Sequence, residues 1–363
     1  AVNLENSTAS ITQSTQQQSV RTNFEHIKTG GFDYDYNSVL NNQAEMQWLA
    51  QHHDMIIGLQ NQSASSMKLA ESVYDGIRAV NPNVKFIQYI PFNTVTPYMS
   101  SSLENWAQTN GRNIEDLYYH YYYDTDVRLR NSQIVRFKGY GGGTAISLTE
   151  ARVPSAWWNG TRPNINPTSQ TFRDAFKNFA LNVITVNSLN NKYADGVFLD
   201  TFDGTTDDYY NLHLENTVEM RNLGYATEST ARQKAESDLL LLRDETEQYL
   251  AQSTSEPMLA IPNAAELDYV FNSRSRIYSG KLSSLYNEMG IEYLVTSGYT
   301  SLWFGTRIPQ LRQLYDSMEQ GNTFFLNSQT NYATNVPFNF TQFILAVNYL
   351  VNHPNGYFSY HKG

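Results

Sequence analysis

The chain has 363 residues, 25 Lys and Arg against 35 Asp and Glu, a net charge of -10, and no cysteine. The acidic balance and the lack of a basic run argue against nucleic acid and anionic membranes as partners, and weakly against a heavily sulfated or uronate-rich polymer. Without cysteine there is no disulfide, thiolate nucleophile or Cys-ligated zinc, and no apolar run reaches the roughly 18 residues of a membrane span.

Residues 1–20 read as a flexible tail rich in Ser, Thr and Gln. Its Ala1-Val2-Asn3 start looks like an N-terminus left by signal removal, which sets the expectation of a secreted, periplasmic or cell-surface protein. Residues 21–363 are expected to form a single barrel.

The first predicted strand runs from Phe24 to Gly31, and the loop after it carries Asp33 and Asp35. A helix over Asn41 to His52 follows, then a strand from Asp54 to Leu59 with Gln60 beyond it. Apolar residues at helical spacing predict a helix from Ser65 to Val80, closed by Asn81-Pro82. The third strand, Val84 to Ile90, contains Gln88 and stops at Pro91.

Residues 91–170 are too many for an ordinary strand–helix connection and read as an excursion over the top of the fold. It holds a short helix near Leu103 to Gln108, a tyrosine run from Tyr118 to Tyr123, a Gly-rich piece around Tyr140, and the pair Trp157-Trp158. The Gly-rich piece has no strand–helix context, so it is not a phosphate loop.

A helix from Thr171 to Asn190 places Phe172, Phe176, Phe179 and Val183 on one face. The fourth strand is Gly196 to Leu199, a short apolar run that ends in Asp200 and Asp203. After a connection over 203–228 comes a helix from Thr230 to Ala251 with Ser229 as N-cap. The fifth strand, Pro257 to Ile261, leads into a short loop with Asn263 and Glu266. The sixth is Ile291 to Val295, followed by Tyr299 and Trp303, and then by a helix from Ile308 to Glu319. The seventh, Thr323 to Leu326, ends in Asn327-Ser328-Gln329, and a helix from Thr341 to Val351 precedes the eighth, Gly356 to His361.

Eight strands alternating with helices predict an α/β fold, a (β/α)8 TIM barrel with a long excursion after the third strand. The alternative is an open doubly wound sheet. Polar residues at many strand ends favour the barrel, because its loops share one mouth whereas an open sheet gathers them at one switch point.

At that mouth Asp200 and Glu266 would stand on neighbouring strands, as a pair of carboxylates able to flank a glycosidic bond. Asp200 follows directly on a buried strand, which suits a nucleophile or base; Glu266 has the longer reach that suits proton transfer. Asp203 is an alternative to Asp200, and the set Asp200, Asp203, Asp207, Asp208 is an alternative calcium site, although it lacks the spacing of a helix–loop–helix calcium site. No histidine spacing of a metal site and no G-x-S-x-G elbow occurs, so neither metal nor cofactor is expected.

With 26 Tyr, 18 Phe and 5 Trp beside abundant amides and hydroxyls, the chain is equipped to stack on sugars. Expected sugar contacts are Asp33, Asp35, Gln88, Tyr140, Trp157, Trp158, Asp203, Asn263, Tyr299, Trp303, Gln329 and His361. The expected function is hydrolysis of a neutral or weakly charged polysaccharide, probed against two alternatives: a non-catalytic carbohydrate-binding barrel and, more distantly, a polysaccharide lyase.

The motifs Asp195-Gly196-Val197-Phe198-Leu199-Asp200-Thr201 and Ile261-Pro262-Asn263-Ala264-Ala265-Glu266-Leu267 resemble those of the glycoside hydrolase family 114 barrels. The resemblance implies that Asp200 and Glu266 are the catalytic pair and that the enzyme is endo-acting. The chain departs from the family's pattern in two places: Pro262 directly precedes Asn263, with no Gln between them, and the excursion after the third strand is long.

Overall fold

The computed structural model describes residues 28–32, 36–61, 67–92, 95–141, 146–155, 159–200, 202, 212–266, 288–293, 315–316, 318–319, 323–330, 353–354 and 356–362. The proposed tail lies outside them, as do residues 24–27 of the first predicted strand and the helix expected over 341–351.

Eight strands form one sheet: β1 (Gly30–Phe32), β2 (Met55–Ile57), β3 (Lys85–Pro91), β8 (Gly196–Asp200), β9 (Leu259–Glu266), β10 (Glu288–Tyr293), β11 (Thr323–Thr330) and β12 (Gly356–Lys362). Every neighbouring pair is parallel. The first and last strands meet through a parallel bridge between Thr29 and Phe358, where the Phe358 N–H donates to the Lys28 carbonyl at 3.0 Å. The architecture is α/β of the (β/α)8 type.

The period-two alternation of the strands sorts their side chains into two cores. Met55, Ile57, Ile87, Phe198, Ile261 and Tyr357 form a cluster on the inner face. Ile56, Phe86, Ile90, Val197, Leu199 and Ala260 join the larger cluster, which also takes in residues of the surrounding helices. A parallel strand covered on both faces reads as an unbroken apolar run, which is why β2 and β8 were visible in the sequence. Gly196 opens β8 because nothing larger fits: a Cβ there would lie 2.1 Å from the Leu259 carbonyl oxygen.

At the foot of the same strand, Asp195 accepts from Arg78 Nη2 and from the Phe86 N–H, both at 2.8 Å. Burial pushes its carboxyl up, while Arg78 and the Phe86 N–H pull it back; the net shift is upward. Asp195 therefore ties β3, β8 and α3 (Glu71–Arg78) together at the end opposite Asp200.

Beside α3 the helices include α1 (Tyr36–Val39), α2 (Gln43–His52) and the short α6 (Val218–Asn222); the helices depart from expectation in four places. The helix predicted over 65–80 is confined to α3, because Met67 and Leu69 are buried by alternation in an extended approach to it. The short helix near Leu103 extends over α4 (Pro97–Thr109), with Thr96 as N-cap and Pro97 in its first turn. α5 (Gln170–Ile184) buries Phe172, Phe176, Phe179 and Val183 as predicted, but stops at Ile184. There the chain turns into a hairpin of β6 (Thr185–Asn187) and β7 (Lys192–Tyr193), and the Asn187 side chain accepts from the Leu189 N–H at 2.9 Å. The long helix α7 (Glu228–Thr254) is capped by Thr227, not Ser229; Thr227 and Thr230 exchange capping bonds. On the far side, only 315–316 and 318–319 of the helix predicted over 308–319 are described, and they are helical.

The excursion builds a small core of its own. A hairpin of β4 (Thr125–Arg128) and β5 (Ile134–Phe137) buries Val127 and Leu129 with Tyr119, Tyr121, Val153, Leu212, Leu214 and Met220, against Ala231 and Ala235 of α7. Leu212, Leu214 and Met220 come from the connection after β8, so the two long connections pack on each other. Among the described residues, no helix is long and apolar enough to cross a membrane.

Candidate functional site

Asp200 is the last residue of β8, level with Pro91 of β3. It follows Phe198 by two positions and so shares its inner face, where the ring of Phe198 stacks against Tyr89 at 6.2 Å between centroids. The Tyr89 hydroxyl donates to Asp200 Oδ2. Tyr89 is itself pinned: the Gln60 side chain donates to its carbonyl at 2.6 Å and accepts from its N–H at 2.7 Å. This pair of hydrogen bonds from a buried amide to one backbone unit continues the β2–β3 pairing beyond the last residue of β2. A chain of contacts from Gln60 through Tyr89 therefore holds the Asp200 carboxylate at the carboxyl end of the barrel, where parallel barrels place their chemistry. Asp200 is half-buried there. The sequence signal for this support is that Tyr89 lies on the inner parity of a strand next to the acid-ending one.

The expected partner lies elsewhere than in a loop. β9 continues from Leu259 to Glu266, so Glu266 is a strand-end residue. Leu199 is level with Pro262, which puts Asn263 beside Asp200. At the end of this strand Glu266 is level with Tyr293 of the next one. On the next strand Gly290 is level with Asn263, so Glu292 stands two residues beyond that level along the strand.

Gln88 corrects another expectation. It alternates away from Ile87 and Tyr89 onto the helix-facing side, is 1 % exposed, and its Oε1 finds no hydrogen-bond partner among the described residues. It is a residue of the outer layer and does not reach the mouth. Gln329 and His361 are level with one another near the ends of β11 and β12. Tyr140 is 47 % exposed on the excursion. Asp33, Asp35, Trp157, Trp158, Asp203, Tyr299 and Trp303 lie outside the described residues, as do Asp207 and Asp208. Among the described residues, no group of three His, Asp or Glu is placed to hold a metal ion.

The excursion holds a charged cluster that no local sequence pattern announces. His120, 2 % exposed, donates through Nδ1 to Glu219 at 2.7 Å and through Nε2 to Glu115 at 2.9 Å. Two carboxylates on its two ring nitrogens favour the imidazolium: burial opposes the charge, the bonds to Glu219 and Glu115 outweigh it, and the net shift is upward. Arg152 forks onto Glu115, with Nε at 2.9 Å and Nη2 at 2.8 Å, and Thr149 adds a third donor at 2.8 Å. Burial works against the Glu115 charge as well, but the bonds from Arg152, His120 and Thr149 prevail and hold its carboxyl at about 2. The Arg152 guanidinium also lies 4.1 Å from the centroid of the Tyr118 ring. Every member is thus paired, which marks the cluster as the clamp of the excursion. Of the tyrosine run, Tyr118, Tyr119 and Tyr121 are fully buried packing residues, while Tyr123 is 43 % exposed.

No known protein-family profile and no curated protein sequence matches the chain. Among solved structures it is similar to the catalytic domain of beta-amylase from Paenibacillus polymyxa, at TM-score 0.45 and 9 % sequence identity over 92 % of this chain and 92 % of that one.

Proposed function

We propose that the chain is a glycoside hydrolase that cleaves a neutral or weakly charged polysaccharide with a pair of carboxylates. The observation that carries the reading is Asp200: an acid at the carboxyl end of a barrel strand, on the inner face, with Tyr89 fixing one of its oxygens. Such a residue serves as nucleophile or base while a second carboxyl group protonates the leaving oxygen.

The sequence resemblance to family 114 nominates Glu266 as that second group. A second candidate is Glu292, two residues beyond the level of Asn263 on the adjacent strand. A partner about 5 Å from Asp200 gives retention through a glycosyl-enzyme; one at about 6.5–9.5 Å leaves room for water and gives inversion. Export of the enzyme and an endo mode of attack are part of the same proposal, supported by the cysteine-free composition and by the family resemblance respectively.

The test is reducing-end release from a panel of neutral and lightly carboxylated glycans by the wild type, Glu266→Gln and Glu292→Gln. Cleavage lost in one glutamine variant and kept in the other identifies the proton donor. A glycan that binds the wild type while none in the panel is cleaved would instead make the protein a carbohydrate-binding barrel.

A further inference from the structure

The excursion carries a surface feature that the barrel mouth does not explain. Residues 122–141 hold four basic side chains, Arg128, Arg130, Arg136 and Lys138, against two acids, Asp124 and Asp126, in a chain whose net charge is -10. In the hairpin of β4 and β5, Val127 and Leu129 point into the small core, so the alternate positions 126, 128, 130, 134, 136 and 138 share the other face.

At the base of this hairpin an aromatic–cation group is built. Tyr122 and Tyr123 meet edge to face at 4.7 Å, and the Arg221 guanidinium lies over both rings, 4.8 Å and 5.0 Å from their centroids. The neighbouring segment is strapped down beside them: the Tyr140 N–H donates to the Tyr121 carbonyl and the Gly141 N–H to the Tyr122 carbonyl, each at 2.8 Å. Gly141 lies so close to the Tyr122 ring that a Cβ there would be 2.3 Å from it. Tyr123 and Tyr140 are nevertheless left 43 % and 47 % exposed. The nearest acid in sequence to Arg221 is Glu219, and both of its oxygens are committed to His120, one to Nδ1 at 2.7 Å and one to the backbone N–H at 3.0 Å. Arg221 is exposed, and its charge is not spent on that neighbour.

We infer that Tyr123, Tyr140 and Arg221 form a binding site for a carboxylated sugar, a uronate unit of a glycan chain. A hexuronate presents an apolar C–H face that stacks on a tyrosine ring and a carboxylate that a planar guanidinium can grip with two parallel N–H bonds. The basic hairpin face adds a local attractive field for such a chain within an otherwise acidic molecule. The inference rests on the carbohydrate reading above and refines it: the weakly charged glycan carries uronate units, and the excursion holds one of them away from the scissile bond.

The experiment is calorimetric titration of the full chain with a galacturonate oligomer and with cellohexaose. Tyr123→Ala and Arg221→Ala should each weaken galacturonate binding about tenfold, Arg221→Lys should restore only part of it, and cellohexaose affinity should fall less in Arg221→Ala than galacturonate affinity does. Arg136→Ala, which removes a hairpin charge already paired with Asp124 at 3.6 Å, should cost less than about twofold. Equal losses in Arg136→Ala and Arg221→Ala would reduce the site to diffuse charge and overturn the inference. So would unchanged binding in both aromatic-site variants, or equal competition by an oligothymidylate. Asp200→Asn keeps the two readings apart: it should abolish cleavage and leave galacturonate affinity unchanged. Cleavage with no uronate preference sinks this inference alone, whereas uronate binding lost in the variants with no glycan cleaved sinks only the hydrolase reading.

Discussion

Replacing Glu115 with glutamine should uncouple the excursion's clamp, and the effect should depend on pH in a calculable way. Glu115 is held at about 2 against an ordinary value of 4.5. A depressed carboxyl contributes stability that is present above its unfolded-state value and lost as pH falls through its folded-state value. At about 1.4 kcal/mol for each tenfold, the contribution at pH 7 is about 3 kcal/mol, and the partly exposed edge of the side chain trims it towards about 2 kcal/mol. At pH 3 about two-fifths of it remains, and near pH 2 most of it is gone. Urea unfolding of wild type and Glu115→Gln, followed by intrinsic fluorescence from pH 7 to pH 2.5, reads the difference directly. The gap between the two proteins should be widest above pH 5 and close steadily below pH 4.5. A gap that stays constant over that range, or is absent at pH 7, would refute the assignment of Glu115 as a charged clamp.

Two further substitutions probe the supports of the site. Tyr89→Phe removes the donor to Asp200 while keeping the ring that stacks on Phe198, so kcat on a cleaved glycan should fall about tenfold with the thermal midpoint changed by less than a few degrees, because the loss is one charge-assisted bond. Gly196→Ala sets a Cβ against the Leu259 carbonyl at 2.1 Å and must push β8 from β9; it should destabilise the protein by about 3 kcal/mol or more, or prevent folding, as measured by thermal unfolding and soluble yield.

The strands were legible because burial on both faces leaves a plain apolar run, as in Met55–Ile57 and Gly196–Leu199. Their order around the barrel followed from alternation with helices alone. What the sequence concealed was parity and partnership. Gln88 reads as a mouth residue in a linear list of polar strand residues, yet its position between Ile87 and Tyr89 turns it outward; counting parity from the apolar residues would have found this. Glu266 looked like a loop residue because Pro262 suggests a strand end, but β9 runs through it. The clamp of Glu115, His120, Arg152 and Glu219 joins residues as much as 104 positions apart, and no local pattern announces such a cluster. Tyr118 to Tyr123 read as a uniform run, while Tyr118 is buried in the main core, Tyr119 and Tyr121 in the second, and Tyr123 is left exposed.

The most direct test of the central claim is the action of Asp200→Asn on whichever glycan the wild type cleaves, followed by NMR of the released reducing ends. The wild type should yield a single initial anomer, and the variant, folded and still able to bind the glycan, should lose at least about a thousandfold in kcat. Cleavage by Asp200→Asn at the wild-type rate would contradict that claim.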